Sequence, residues 1–353
     1  MKTLIFLLLN LIFGISFAIG QSDYYYDAKV ALDIEKTEGF EVSEKHYQLL
    51  DSIFNSLERE IHIPDNFTKE DALNACKKIN KILEEEFKFK YLQTDIFSVG
   101  LSNSVLDCNY YSLIFYTFLN KKKNFSVFPV YLPGHMFIRW HFKNGDYFNY
   151  ETTDSKEISE AEYDSIFQVS PQAKKNKIYM ADLNDKQIAA VNYVDLAFSI
   201  PIDSTEKILE ICNRSINLDN NCVNALLMKG TAFVHKKDFK SATFIYNKIL
   251  TYDSLNYKTY NNLAFLYFSQ KDSKNAFNCL SKAISCNPND PEPYINRAEF
   301  YFSEGDLENS MKDFDSATDH IKKCSFFQFS ENYIQLDALE KAIMIEYLKQ
   351  NGN

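Results

Sequence analysis

The sequence predicts an α+β domain followed by an all-α solenoid of helical repeats. The C-terminal part repeats at a spacing of 34 residues, whereas the N-terminal part is not repetitive and passes from helical to strand patterns. A chain of 353 residues is long enough for about two domains. Hydrophobic residues make up 46% of it, which is sufficient for sizeable cores.

Residues 1–20 have the features of an export signal. Lys2 provides a positive start, an apolar run follows, and Ala18-Ile19-Gly20 matches a small-x-small cleavage pattern. The run is short for a membrane span, which needs about 20 apolar residues. We therefore expect a secreted or periplasmic protein with no stable membrane span after signal cleavage. Membrane anchoring by an uncleaved signal is the alternative.

Charge and cysteine patterns exclude several classes of partner. The net charge is −10, and Lys and Arg are scattered, whereas a nucleic-acid binder needs a basic face. No CxxC or HExxH pattern occurs, so neither a metal site nor any cofactor is expected. Five cysteines lie in helical, apolar segments, where a buried thiol is the usual role and a disulfide stays open. They are Cys212, Cys222, Cys279, Cys286 and Cys324.

Three C-terminal segments align column by column: 223–256, 257–290 and 291–320. One column holds small residues, which let two helices cross closely, and another holds aromatic residues that fill the gaps between helices. The small column is Gly230, Ala264 and Ala298, and the aromatic column is Phe233, Tyr267 and Tyr301. The spacing and the columns resemble the tetratricopeptide repeat family, whose period is 34 residues.

This resemblance implies a solenoid of paired antiparallel helices that holds a peptide or protein ligand in its groove, with Tyr260 and Asn261 as expected groove residues. We expect the array to occupy residues 181–328, including a degenerate repeat ahead of the clear ones. Residues 329–353 are expected to form a C-terminal capping helix, because the last repeat needs a cover.

Residues 21–180 are expected to form the first domain. Helical periodicity and an apolar helix come first, and three β segments follow, separated by turns at Pro133-Gly134 and Asn144-Gly145. The helical segments are 43–60, 68–87 and 109–119, and the β segments are 125–132, 136–142 and 147–150.

Cys108, His135 and Glu151 form the constellation that suggests chemistry. A nucleophilic thiol needs a lowered pKa, a base and a group that orients the base. Cys108 stands at the start of a helix, where the partial positive charge favours a thiolate. His135 begins one strand and Glu151 ends the next, roughly opposite His135 if the hairpin closes on these two residues.

The segments LDCNYYSLIFY, VFPVYLPGHMFIRW and YFNYETT resemble the bacterial branch of the transglutaminase-like cysteine-enzyme superfamily. The resemblance implies a papain-like α+β fold with Cys108 as nucleophile, His135 as base and Glu151 as orienting acid, where Asp is commoner in the superfamily. It also implies thiol-dependent acyl transfer, by a cysteine peptidase or amidase, or by a transglutaminase-like acyltransferase.

Each residue also has a structural interpretation. Cys108 fits a core cysteine, His135 a turn residue and Glu151 a solvated strand end. The competing function is a catalytically inactive, repeat-containing binding or scaffold protein of the cell envelope.

Other residues compete for the same roles. His141 shares strand parity with His135 and is a rival base, while Asp146 and Asp154 are rivals to Glu151. For the oxyanion donor, the backbone N–H of Cys108 and the side chain of Asn103 are the candidates.

Overall fold

The computed structural model describes residues 25–323 together with Leu339 and Ile343. The expected signal at 1–20 and most of the expected capping helix at 329–353 lie outside the described residues. The described part is mostly helical, and its main sheet is small.

Helices open the described chain, in the order that the hydrophobic periodicity predicts. They are α1 (Ala28–Thr37), α2 (Glu44–Glu60) and α3 (Lys69–Lys81), and α3 continues as a π turn over Ile82–Glu86. Thr68 and Asp71 form a capping box at the start of α3, in which each side chain bonds to the backbone N–H of the other. Such a box satisfies N–H groups that a helix start leaves unpaired.

The central helix, α5 (Cys108–Tyr116), follows α4 (Phe97–Asn103), and a short parallel pair, β1 (Lys90–Tyr91) with β2 (Val105–Leu106), flanks α4. All but one of the residues of α5 are buried. A helix that is apolar on every side needs cover on every side, and α5 accordingly packs on the sheet. It continues as a π turn over Thr117–Lys122.

Four antiparallel strands form the main sheet in the order β3-β4-β5-β6. Gly134 and Gly145 lie in its first two turns with φ of +79° and +89°, a conformation that glycine adopts without the strain of a Cβ. The strands are β3 (Val127–Leu132), β4 (His135–His141), β5 (Tyr147–Glu151) and β6 (Lys156–Glu157).

Two short helices lead from the sheet into a run of helix pairs. The short ones are α6 (Glu160–Phe167) and α7 (Pro171–Lys175). The pairs are α8 (Asp185–Ser199) with α9 (Thr205–Leu218), α10 (Val223–His235) with α11 (Phe239–Tyr252), α12 (Tyr257–Ser269) with α13 (Ser273–Cys286), and α14 (Glu292–Ser303) with α15 (Leu307–Lys323).

The small-residue column lies where the helices of a pair cross. A Cβ on Gly230 would fall 2.3 Å from Cε1 of Tyr246, so the tyrosine ring of α11 rests on the backbone of α10. Ala264 and Leu280 of the next pair share one buried cluster with Phe300 of α14. Close crossing therefore depends on the small residue in each pair.

Beyond the last pair, Leu339 and Ile343 are buried in one cluster with Ala298. The other residues of the expected capping helix are not among those described.

The first two array helices also complete the core of the N-terminal unit. Ile188 and Leu196 of α8 and Ile211 of α9 belong to the same buried cluster as Phe115 of α5 and Tyr150 of β5. The site described next therefore lies close to the junction between the sheet and the array.

Candidate active site

Cys108 is the first residue of α5, and Asp107 caps that helix. The Asp107 carboxylate accepts a hydrogen bond of 3.0 Å from the backbone N–H of Tyr110. Capping by an Asp side chain is a local property of the sequence, and it fixes where the helix begins. Cys108 is only 7% exposed.

His135 and Glu151 are joined by a hydrogen bond of 2.6 Å between Nε2 and Oε2, and both side chains are almost fully buried. The other Glu151 oxygen, Oε1, accepts from the Thr153 backbone N–H at 3.1 Å and from its hydroxyl at 2.6 Å. Tyr163 donates to Oε2 at 3.1 Å. Both oxygens of the Glu151 carboxylate thus accept hydrogen bonds, which a buried charge requires.

The pairing of β4 with β5 differs in register from the simplest sequence expectation. Ile138 pairs with Tyr150, so Glu151 stands beside Phe137 and not directly opposite His135. Because side chains two apart on a strand share a face, His135 and Glu151 still meet diagonally. The Glu side chain spans this offset.

The Cys108 thiol lies against the same imidazole. The side chain of His135 and the backbone N–H of Met136 act to lower its pKa, and Sγ donates to Oδ1 of Asn109 at 3.8 Å. The structure therefore brings Cys108, His135 and Glu151 together at one place.

Burial and charge act in opposite directions on the three groups. Burial lowers the pKa of His135, but the negative charges of Glu151 and Cys108 outweigh it and raise that pKa to about 10. Burial raises the pKa of Glu151, yet the charge of His135 and the surrounding hydrogen bonds hold it below its usual range. His135 and Glu151 therefore form an ion pair at neutral pH.

The Cys108 thiol behaves differently from the sequence expectation of a lowered pKa. Burial raises its pKa, and the charge of His135 and its hydrogen bond, which act to lower it, do not compensate. The negative charge of the capping Asp107 adds to the rise. The cap that creates the helix start thus opposes the thiolate that the helix start favours.

The rival residues lie elsewhere. His141 is bonded to Asp182 at 2.7 Å, Asp146 accepts from Asn144 at 2.6 Å, and Asp154 pairs with Lys156. Asn103 is exposed at the end of α4. Among the described contacts, none joins these side chains to Cys108, His135 or Glu151.

Sequence reasoning missed four contributors to the site. Thr153 lies two residues after the end of β5 at Glu151, where the sequence suggested a solvated strand end. Tyr163 comes 12 residues after Glu151, and Asn109 bonds to Asp195, 86 residues away. Asn109 adjoins Cys108 in the chain, but no local pattern marks Tyr163 or Asp195 as part of the site.

The described cysteines form neither a disulfide nor part of a metal-binding group. Six cysteines in the described part are free thiols, and Cys324 lies outside it. No group of three or more potential metal ligands occurs among the described residues. Asn261, an expected groove residue, is buried and bonded to Glu292 and Asn296, because the array packs over it. Tyr260 is partly exposed.

Comparison with known proteins identifies the repeats. Residues 257–290 and 279–312 match two family models, both described as tetratricopeptide repeat. Residues 257–312 are tetratricopeptide repeats. Such repeats imply a role in protein–protein interaction. Neither match reaches residues 21–180, so the transglutaminase-like resemblance of that part stays a prediction.

Solved structures match about half of the chain. MamA has 17% sequence identity and a TM-score of 0.32, over 46% of this chain and 86% of that one. MamA 41-end from Desulfovibrio magneticus RS-1 has 14% identity and a TM-score of 0.32, over 43% and 81%. PilF from Pseudomonas aeruginosa has 16% identity and a TM-score of 0.34, over 46% and 78%. No curated protein matches the sequence.

Within the described residues, none of the helices has the length and apolar character needed to cross a membrane.

Proposed function

We propose that the chain is a thiol-dependent acyl-transfer enzyme whose repeat array binds a peptide or protein. The observation that carries the proposal is the 2.6 Å hydrogen bond between His135 Nε2 and the buried Glu151, with the Cys108 thiol close enough to the same ring for His135 to act on its pKa. A nucleophile, a base and an acid that orients the base are the parts that covalent acyl transfer requires.

In the proposed reaction, the neutral form of His135, which is the minor form at neutral pH beside Glu151, takes the thiol proton while the Cys108 sulfur attacks the acyl carbon. Because Glu151 engages Nε2, Nδ1 is the ring nitrogen that serves the sulfur. The tetrahedral intermediate then expels the leaving amine, which receives the proton from His135. Water or an amine attacks the resulting thioester, gives its proton to His135, and releases the acyl product and the Cys108 thiol.

Glu151 has two tasks in this scheme. It fixes the orientation of the His135 ring, and it stabilises the imidazolium that forms when the thiol proton is taken up. Both tasks require a carboxylate that stays ionised in a buried place. The donors from Thr153 and Tyr163 meet that requirement.

A second candidate, a catalytically inactive binding scaffold, is favoured by two specific observations. Cys108 is 7% exposed, and burial raises its pKa, which is typical of a structural cysteine. The family matches also lie on the repeats alone. In this case the triad is a buried polar network that stabilises the fold.

The two candidates are separated with p-nitrophenyl acetate as acyl donor and the full chain as enzyme. Transfer of the acetyl group to Cys108 releases p-nitrophenolate, and an enzyme gives a burst of about one equivalent per chain. The burst is expected to be lost in Cys108→Ala. Cys222→Ala is the matched control, because Cys222 is buried to a similar extent, at 8% exposed, and is expected to keep the burst.

Absence of a burst in the wild-type chain, or a burst that survives Cys108→Ala, would overturn the enzyme proposal in favour of the scaffold. A His135→Ala variant adds a further criterion. It is expected to slow the burst strongly, because it removes the imidazole that acts on the thiol.

Export is part of the same proposal. The apolar run after Lys2 and the Ala18-Ile19-Gly20 pattern support a cleaved signal. Intact mass of the protein recovered from its natural source tests this. A chain that begins at Gln21 is expected, and a chain that retains residues 1–20 supports membrane anchoring by an uncleaved signal.

A further inference from the structure

The side chain of Asn109 lies between the thiol and the first helix of the array. Its Nδ2 donates to both carboxylate oxygens of Asp195, at 3.1 and 3.0 Å. Its Oδ1 accepts from Cys108 Sγ at 3.8 Å. Asp195 lies on α8 and is 8% exposed. The side chains of Asn109 and Asp195 therefore connect the proposed nucleophile to the array.

The chemistry of an amide makes this connection directional. An amide carries an acceptor on one side and two donors on the other. While Asp195 is a carboxylate it requires the N–H groups of Asn109, and the carbonyl oxygen is left facing the sulfur. A carbonyl oxygen accepts from a thiol but repels a thiolate, so this orientation favours the neutral form of Cys108.

A neutral side chain at position 195 does not require both N–H groups of Asn109. Asn109 could then turn its donors toward the sulfur, where they would stabilise a thiolate and the oxyanion of a tetrahedral intermediate. The sequence left the oxyanion donor unassigned, and a turned Asn109 lies closer to Cys108 than Asn103 does along the chain.

The surroundings favour a neutral Asp195. Burial raises its pKa well above its usual range, the charge of Asp107 adds to this, and the hydrogen bond from Asn109 opposes it. Asp95 and Glu35 also face Asp195 and raise its pKa. Carboxylates that share a buried region do not all ionise together.

We propose that Asp195 is a positioning residue for Cys108 and that it acts through Asn109 by selecting which face of the amide meets the sulfur. The catalytic consequence rests on the proposed acyl transfer. The effect on thiol reactivity does not, because it needs no substrate.

The test is the rate of Cys108 alkylation by iodoacetamide in the full chain, followed by mass spectrometry of the Cys108 peptide at several pH values. Asp195→Asn is expected to raise the rate by about three- to tenfold, the worth of one hydrogen bond, at the pH values at which Asp195 of the wild type is ionised. At lower pH, where the wild-type residue is already neutral, the two rates are expected to converge. In an Asn109→Ala background, Asp195→Asn is expected to have no such effect, because the amide that transmits it is missing.

Asp185→Asn is the matched control. It makes the same chemical change on the same helix, but Asp185 contacts Tyr116 and Lys121, and it is expected to leave Cys108 alkylation unchanged. Asn109→Asp is a second variant. It places a second carboxyl beside Asp195 and adds negative charge near the sulfur, and alkylation is expected to slow.

An equal acceleration by Asp195→Asn with and without Asn109 would overturn the proposal, since the effect would then come from charge alone. So would an unchanged rate in Asp195→Asn together with an unchanged rate in Asn109→Asp. Failure of acyl transfer is seen separately, as a missing p-nitrophenolate burst. An acceleration that depends on Asn109 in a chain without a burst would support the positioning role and reject the enzyme.

Discussion

Tyr163 donates a hydrogen bond of 3.1 Å to Oε2 of Glu151, the oxygen that also accepts from His135. Tyr163 is fully buried and comes from α6, beyond the end of the sheet. The orientation of Glu151 therefore depends on a helix that follows the sheet in the chain.

Tyr163→Phe is expected to lower the free energy of unfolding by about 1 kcal/mol, because it removes one buried hydrogen bond while keeping the ring. Urea denaturation measures this change. Tyr147→Phe is the control, since its hydroxyl bonds to Glu160 at the surface and its loss should cost little. Equal effects of both substitutions would argue against a structural role for the Tyr163 hydroxyl.

The raised pKa of His135 predicts a pH-dependent contribution to stability. Protonation is favoured in the folded state, whose pKa is about 10, relative to the ordinary value of 6.5. The contribution is therefore fully present below pH 6.5 and is lost as the pH rises toward about 10.

To isolate the contribution of His135 to stability, the free energy of unfolding of the wild type is compared with that of His135→Gln at each pH. We expect the difference between them to be constant below pH 6.5 and to shrink above it, up to about pH 10. A difference that stays constant over this range would contradict the ion pair with Glu151.

The thiol–imidazole contact predicts the direction of a reactivity change. The charge of His135 and its hydrogen bond act to lower the pKa of Cys108, so His135→Ala should raise that pKa and slow alkylation of Cys108 near neutral pH. His141→Ala is the control, because His141 bonds to Asp182. Slower alkylation in the His141 variant instead would make His141 the functional base.

The crossing of α10 and α11 predicts an unfavourable Gly→Ala substitution. In an open helix Ala is more favourable than Gly by about 1 kcal/mol. At Gly230, however, the new Cβ would meet the Tyr246 ring at 2.3 Å, and overpacking costs about 1–3 kcal/mol. Gly230→Ala should therefore lower the thermal unfolding midpoint.

The repeat columns supply the compensating change. The second repeat has Ala264 and Leu280 at the positions of Gly230 and Tyr246. Adding Tyr246→Leu to Gly230→Ala should thus recover part of the lost stability. No recovery in the double variant would show that the two residues do not act as a pair.

Local sequence was enough to predict the repeats and to single out Cys108, His135 and Glu151 as candidate site residues. A capping Asp before Cys108, a Pro-Gly turn before His135 and an Asn-Gly hairpin before Glu151 are short patterns, and each acts on its own part of the backbone. The small and aromatic columns of the array are equally local, because each repeat packs on its neighbours.

The register of β4 with β5, and the donors that serve Glu151 and Asn109, required the folded chain. No sequence pattern indicates the roles of Tyr163 and Asp195, because hydrogen bonds between residues far apart in the chain depend on how the helices and strands pack together. For the same reason, the pKa of Cys108 is raised, whereas the sequence predicted that it would be lowered. A helix start and an imidazole are visible in the sequence, but desolvation is set by everything that surrounds the sulfur.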